Sequence, residues 1–161
     1  MPTVTIDGTT YEYDGEHKLL QFCLNQGIEL PHFCYHPAMS IPANCRQCLV
    51  KVGMPKKDRQ TGEVELDDNG EPVIQFFPKM QASCTVDLAD GMVVKTHRSS
   101  EDVRRAQKDT LEFLLINHPL DCPICDQAGH CPLQIQAYKY GPEGSRFEFR
   151  KVHKPKRVKL G

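Results

Sequence analysis

The sequence predicts an α+β chain, a strand-rich unit with one helix followed by a small helical segment. Three observations lead there. Short apolar runs separated by turn signals occupy residues 1–97. Helical spacing of apolar residues takes over from about residue 98. Seven of the eight cysteines fall into two groups, one in each part.

Residues 3–6 and 10–13 form two short strands around the turn Asp7-Gly8. From His17 to Gln26, apolar residues at 19, 20, 23 and 24 give helical spacing, and Gly27 suits the helix C-terminus. Residues 28–48 read as loop, broken by Pro31, Pro37 and Pro42. Leu49–Val52 is a strand. The runs 63–66 and 73–77 flank Asp68-Asn69-Gly70 and predict a hairpin. Met92–Thr96 is the next strand. Ser99-Ser100-Glu101-Asp102 marks a helix start, with an acid three residues after the cap. Val103, Ala106, Thr110, Leu111 and Leu114 carry that helix on, and Pro119 disfavours helical geometry at His118. A cysteine-rich loop leads to Pro132, which opens a last helix to about Tyr140. The expected organisation is residues 1–97, 98–140 and a basic tail, 141–161.

Charge and patterning exclude several function classes. A net charge of −1 argues against a nucleic-acid role for the whole chain. No run approaches 18 apolar residues, so no transmembrane span is expected. The first residues have neither a basic nor an apolar leader region, so nothing argues for secretion. In a reducing compartment, cysteines more often ligate metal, take part in catalysis or fill cores than form disulfides. There is no G-x-G-x-x-G, no phosphate-binding loop and no nucleophile elbow.

Cys34, Cys45, Cys48 and Cys84 are spaced C-x10-C-x2-C-x35-C. A two-residue gap lets one turn present both thiolates to the same metal, and the turn's N–H groups can point at the sulfurs. Arg46 adds positive charge. Three ligands from one loop and a fourth from afar follow the plant-type ferredoxin logic, although the first gap is longer. His32 and His36 flank Cys34 as candidate donors to sulfur. The same four thiolates could hold zinc, or the cysteines could be buried and unligated.

His118, Cys122, Cys125 and Cys131 read H-x3-C-x2-C-x5-C, followed by Pro132. Four ligands within 14 residues converge on one loop, and the Cys-Pro ending is shared with bacterial ferredoxins. Zinc on three cysteines and a histidine is the competing reading. His130 competes with His118, but it shares a tight loop with Cys131. Cys23, on the apolar face of the first helix, reads as a small core residue.

These residues resemble a known family. Pro31-His32-Phe33-Cys34-Tyr35-His36-Pro37, Asn44-Cys45-Arg46-Gln47-Cys48-Leu49-Val50 and Ala82-Ser83-Cys84 with Asp90-Gly91-Met92 form one matching set. Asn117-His118-Pro119, Asp121-Cys122-Pro123-Ile124-Cys125-Asp126 and Gly129-His130-Cys131-Pro132-Leu133-Gln134 form the second, and Gly144-Ser145-Arg146-Phe147 adds to it. Together they resemble the N-terminal part of the large iron–sulfur subunit of NADH-quinone oxidoreductase, or respiratory complex I. In mitochondria this is the 75 kDa subunit.

The resemblance implies a β-grasp, ferredoxin-like domain with one [2Fe–2S] cluster on Cys34, Cys45, Cys48 and Cys84. It further implies a helical segment with one [4Fe–4S] cluster on His118, Cys122, Cys125 and Cys131. It implies an electron-transfer subunit without a substrate site of its own, partnered by the flavin- and NADH-binding subunit and other complex I subunits. That places it peripherally at the cytoplasmic side of the bacterial inner membrane. An NAD-linked hydrogenase or a formate dehydrogenase shares both motifs, and a zinc-stapled interaction module is the alternative of another class.

Three departures stand out. Ala43 occupies a position where the family usually has glycine. The stretch from Gly53 to Pro78 lengthens the path to Cys84 and reads as an acidic surface hairpin. The family itself continues past the point matched by Gly161. The basic residues Arg146, Arg150, Lys151, Lys154, Lys156, Arg157 and Lys159 form either a solvated tail or a docking segment for an acidic partner.

Overall fold

The computed structural model describes residues 1–15, 17–58, 60–119 and 121–152. Lys154, Lys156, Arg157 and Lys159 lie outside the described residues. The chain forms two compact units, Met1–Gln107 and a second beginning at Lys108. The boundary read from the sequence, near residue 98, marks the approach to the helix that runs across this division.

In the first unit, β1 (Thr3–Ile6) and β2 (Thr9–Glu12) form an antiparallel hairpin. Helix α1 (Leu19–Asn25) follows, and Gly27 then takes a left-handed φ of 70°. β3 (Leu49–Pro55), β4 (Ile74–Phe76), the two-residue β5 (Gln81–Ala82) and β6 (Met92–Lys95) complete the sheet. The strand order is β2-β1-β6-β3-β4, with β5 on β3. β1 runs parallel to β6 and β3 antiparallel to it. A helix packed on a mixed sheet with a parallel central pair is the β-grasp arrangement expected.

Alternation decides which face of the sheet is buried. Val4, Ile6, Val50, Val52 and Val94 point into one core with Leu19, Leu20, Phe22 and Cys23 of α1. Cys23 is buried there, and desolvation pushes its thiol up to about 12. It is inert packing, as the helix face implied.

The segment from residue 56 to 73 differs from the simple hairpin expected. The turn at Asp68-Asn69-Gly70 forms, with a bridge between Leu66 and Pro72. Ile74–Phe76, however, pairs with β3 and not with residues 63–66. The arm at Val64 bridges back to Lys57 instead, so the insertion folds as two successive turns. Each is closed by an aspartate: Asp58 Oδ1 accepts from the N–H of Gln60 and Thr61, and Asp67 Oδ1 from that of Asn69 and Glu71.

Helix α2 spans Glu101–Leu115, with Val103, Gln107 and Leu111 fully buried. In the second unit a 3-10 turn (Cys122–Ile124) leads to α3 (Pro132–Tyr140), whose first residue is proline. Lys151 Nζ donates to the carbonyls of Leu115 and Ile116 at the end of α2, each at 2.8 Å. Arg146 forks onto the Glu112 carboxylate. Two of the tail's basic residues therefore serve this unit internally.

Candidate iron–sulfur sites

The first cysteine group is built by three pieces of the first unit. Cys34 and Cys45 stand at the two ends of the proline-broken loop, and the N–H of Cys45 points at Cys34 Sγ, 3.5 Å away. Two residues of this loop adopt left-handed backbone, Ala43 (φ 52°) and Arg46 (φ 58°). Such residues turn successive N–H groups toward one side of the chain and create a concave, donor-rich surface. Burial alone would raise the Cys45 thiol. Backbone N–H groups of Gln47, Cys34 and Phe33 outweigh burial and hold it below the ordinary thiol range.

Cys48 is buried at the entry to β3, and Cys84 is buried just after β5. Ser83 joins them: its N–H and its hydroxyl both donate to the Cys48 carbonyl, at 3.1 and 2.9 Å. On the other side, the Leu20 N–H donates to the Ser83 carbonyl at 3.0 Å, fixing the same segment to α1. Desolvation pushes the Cys84 thiol up to about 12, reinforced by Cys48 first and then by Cys34 and Cys45. The four thiols from positions 34 to 84 thus lie within electrostatic reach of one another. A cationic iron core would reverse that mutual repulsion, since coordinated thiols deprotonate outright.

His32 and His36 are each fixed by a main-chain contact beside Cys34. His32 Nδ1 pairs with the Leu30 carbonyl at 2.8 Å, and its ring meets Tyr35 edge-on. His36 Nδ1 accepts from the Ala38 N–H at 3.2 Å. Sequence reasoning passed over Ser83 as a tether and Tyr35, whose hydroxyl donates to Gln21 Oε1 at 2.7 Å.

The second group lies on one exposed loop of the second unit. His118 and Cys125 are exposed, while Cys122 and Cys131 are half-buried. The Cys125 N–H donates to the Cys122 carbonyl at 3.2 Å, closing the C-x2-C turn, and that of Ala128 donates to the Cys125 carbonyl at 3.0 Å. Gly129, at φ 87°, turns the chain, and its N–H is held by Gln134 Oε1 at 3.1 Å. His130 is exposed, and its N–H bonds to the Gln127 carbonyl at 3.2 Å. Among the described residues, no three His, Cys, Asp or Glu side chains are drawn together tightly enough to hold a single metal ion.

The donor sets suit iron–sulfur clusters: thiols served by main-chain N–H groups in one case, and a compact Cys122–Cys125 turn followed by Cys131-Pro132 in the other.

Comparison with known proteins is consistent with this chemistry. The 2Fe-2S iron-sulfur cluster binding domain family matches residues 1–99. The NADH-ubiquinone oxidoreductase-G iron-sulfur binding region matches residues 107–146. The NADH-ubiquinone oxidoreductase 75 kDa subunit of Reclinomonas americana is 40% identical over 147 residues, which is 91% of this chain and 18% of that protein. NADH-quinone oxidoreductase subunit 3 of Thermus thermophilus is 39% identical over 95% of this chain and 21% of its own length. The chain thus spans about a fifth of these curated relatives. Among solved structures, a chain of an NAD+-reducing [NiFe]-hydrogenase superposes with a TM-score of 0.69 at 26% identity, covering 97% of this chain and 55% of that one.

Proposed function

Because the chain belongs to the 2Fe–2S iron–sulfur cluster binding domain family, and carries after it the NADH-ubiquinone oxidoreductase-G iron–sulfur region, we propose that it is an electron-transfer module of NADH-quinone oxidoreductase. It relays electrons from a flavin- and NADH-binding subunit toward quinone. In this reading residues 1–97 hold one [2Fe–2S] cluster on Cys34, Cys45, Cys48 and Cys84. Residues 98–140 hold one [4Fe–4S] cluster on His118, Cys122, Cys125 and Cys131, and 141–161 form a basic tail.

The observation that carries the reading is the tethering of the first cysteine group: the Cys45 N–H points at Cys34 Sγ, and Ser83, next to the buried Cys84, places its N–H and hydroxyl on the carbonyl of the buried Cys48. When bound, a cluster supplies a one-electron carrier. The chain's own residues do the rest. Buried Cys48 and Cys84 keep water from the sulfurs, and the N–H groups around Cys45 stabilise thiolate charge. One exposed histidine among three thiolates leaves the second site less negative, which favours the reduced state. Exposed Phe113, Ile124, Tyr138 and Phe149 in the second unit suit a module seated among partner subunits. No described helix is long and apolar enough to cross a membrane, so attachment at the cytoplasmic face of the inner membrane would run through those partners.

Anaerobic purification followed by iron, sulfide and zinc analysis tests this. The expected result is about six irons with matching sulfide per chain, and broad visible absorption that bleaches on dithionite. Two zincs and a colourless protein would overturn it in favour of a zinc-stapled module. The hydrogenase likeness supports a second reading, an electron-transfer subunit of an NAD-linked hydrogenase. Co-purification separates the two. Quinone-reducing activity in the isolated complex supports the first, and nickel with hydrogen-dependent NAD reduction supports the second.

A further inference from the structure

Gln47 lies in the tight turn between Cys45 and Cys48, and Gln107 lies in α2, sixty positions later. Both are fully buried. Their side chains cross. Gln47 Nε2 donates to the Gln107 backbone carbonyl at 3.4 Å, and Gln107 Nε2 donates to the backbone carbonyl of Leu49 at 3.3 Å. The turn is therefore gripped on both sides of Cys48. Each amide still has a second polar end. The Oε1 atoms of Gln47 and Gln107 are both buried with no protein donor.

Packing alone does not call for amides at these positions. Two apolar side chains of similar size would fill the same space without four polar groups to satisfy. What amides add is direction, because a hydrogen bond specifies register where an apolar contact tolerates sliding.

We infer that Gln47 and Gln107 form a paired-amide latch, and that the latch positions the Cys45–Cys48 turn against the first half of α2. Its positioning role rests on the iron–sulfur reading of the first cysteine group; the latch itself does not. Gln47 and Gln107 are positioning residues, acting on the thiols through the backbone of the turn.

The test uses the full chain, purified anaerobically, as Gln47→Met, Gln107→Met and the double variant. Each single change removes one of the two cross-bonds and leaves a backbone carbonyl, that of Gln107 or of Leu49, without its amide donor, so the unfolding midpoint drops by about 3–6 °C. Because both bonds fasten the same two segments, losing either slackens the other, and the double variant falls well short of the summed loss. The rate at which a chelator strips each cluster supplies the second readout, with the two clusters distinguished by paramagnetic resonance. In Gln107→Met, which lies outside both cysteine loops, loss of the first cluster accelerates about tenfold while the second keeps its parental rate. Additive midpoint losses would overturn the latch. Unchanged first-cluster loss, or equal acceleration at both clusters, would overturn positioning. If the parent chain carries no cluster, the positioning role falls with the iron–sulfur reading, and the unfolding cycle still decides the latch.

Discussion

Ala43 shows what one methyl group does in this loop. Its φ of 52° belongs to the left-handed region, where a Cβ crowds the following carbonyl and glycine does not. The backbone at Ala43 is held left-handed against the side chain's preference. Ala43→Gly is expected to relieve about 1–2 kcal/mol of native strain, offset by up to about 1 kcal/mol of added freedom in the unfolded chain. The net result is a modest stabilisation, read from urea unfolding, with the visible spectrum unchanged. Loss of stability would show that this loop tolerates the methyl without strain. Gly53 is the opposite case. A Cβ there would lie 2.6 Å from Ile74 Cγ2, so β4 can approach β3 only at glycine.

Among the elements, β5 has only two residues, yet it delivers the fourth cysteine. Its follower Ser83 places two donors on the Cys48 carbonyl, fully out of solvent. Ser83→Ala removes the hydroxyl donor but keeps the N–H, and is expected to cost about 1 kcal/mol. Loosening of Cys84 relative to Cys48 should accompany it, seen as faster cluster loss to a chelator. Helix α2 gives a pH-dependent counterpart. The Arg146 guanidinium holds the Glu112 carboxyl below the usual carboxylate range. A depressed carboxylate contributes stability above its unfolded value and loses it as pH falls through the folded one. The stability difference between the parent and Glu112→Gln should therefore be full at pH 6 and decline as pH falls below the unfolded glutamate value of about 4.3 toward the depressed folded one. Because the pair is exposed, added salt should shrink it.

These elements also show how much the sequence could convey. β1, α1, β6 and α3 follow from periodicity, turn residues and Pro132, all local signals. So does the spacing of both cysteine groups. The partner of β4 was not legible, because strand pairing between residues 53 and 76 is a long-range choice that a turn at Asp68-Asn69-Gly70 masks. Ser83 and Gln47 were invisible as supports for a similar reason. Their importance comes from burial against chain segments tens of residues away, which no spacing rule reports. Choosing between His118 and His130 also lies beyond spacing, since both are exposed on the same loop.

Taken as a whole molecule, the chain tolerates a large excursion because of where it leaves the sheet. Pro55 and Ile74 are paired across β3 and β4, so the ends of the 56–73 segment lie side by side. Asp58 and Asp67 close its turns from within. Replacing residues 56–73 with Asn-Gly, a two-residue hairpin turn, should leave the cluster spectrum unchanged. The unfolding midpoint should shift less than in Ser83→Ala. A bleached or unfolded product would show that the insertion supports the fold.

The order of strands has a consequence for synthesis. β6 stands between β1 and β3, but it is the last strand of the sheet to be made. A nascent chain that has already emerged past β3 still lacks the strand that bridges the hairpin of β1 and β2 to the rest. Until it arrives, two half-sheets each present an open edge, the configuration in which growing chains stick to one another. Ribosome-bound chaperones would have their longest opportunity in that interval, and chains stalled just before residue 92 should be the species they capture.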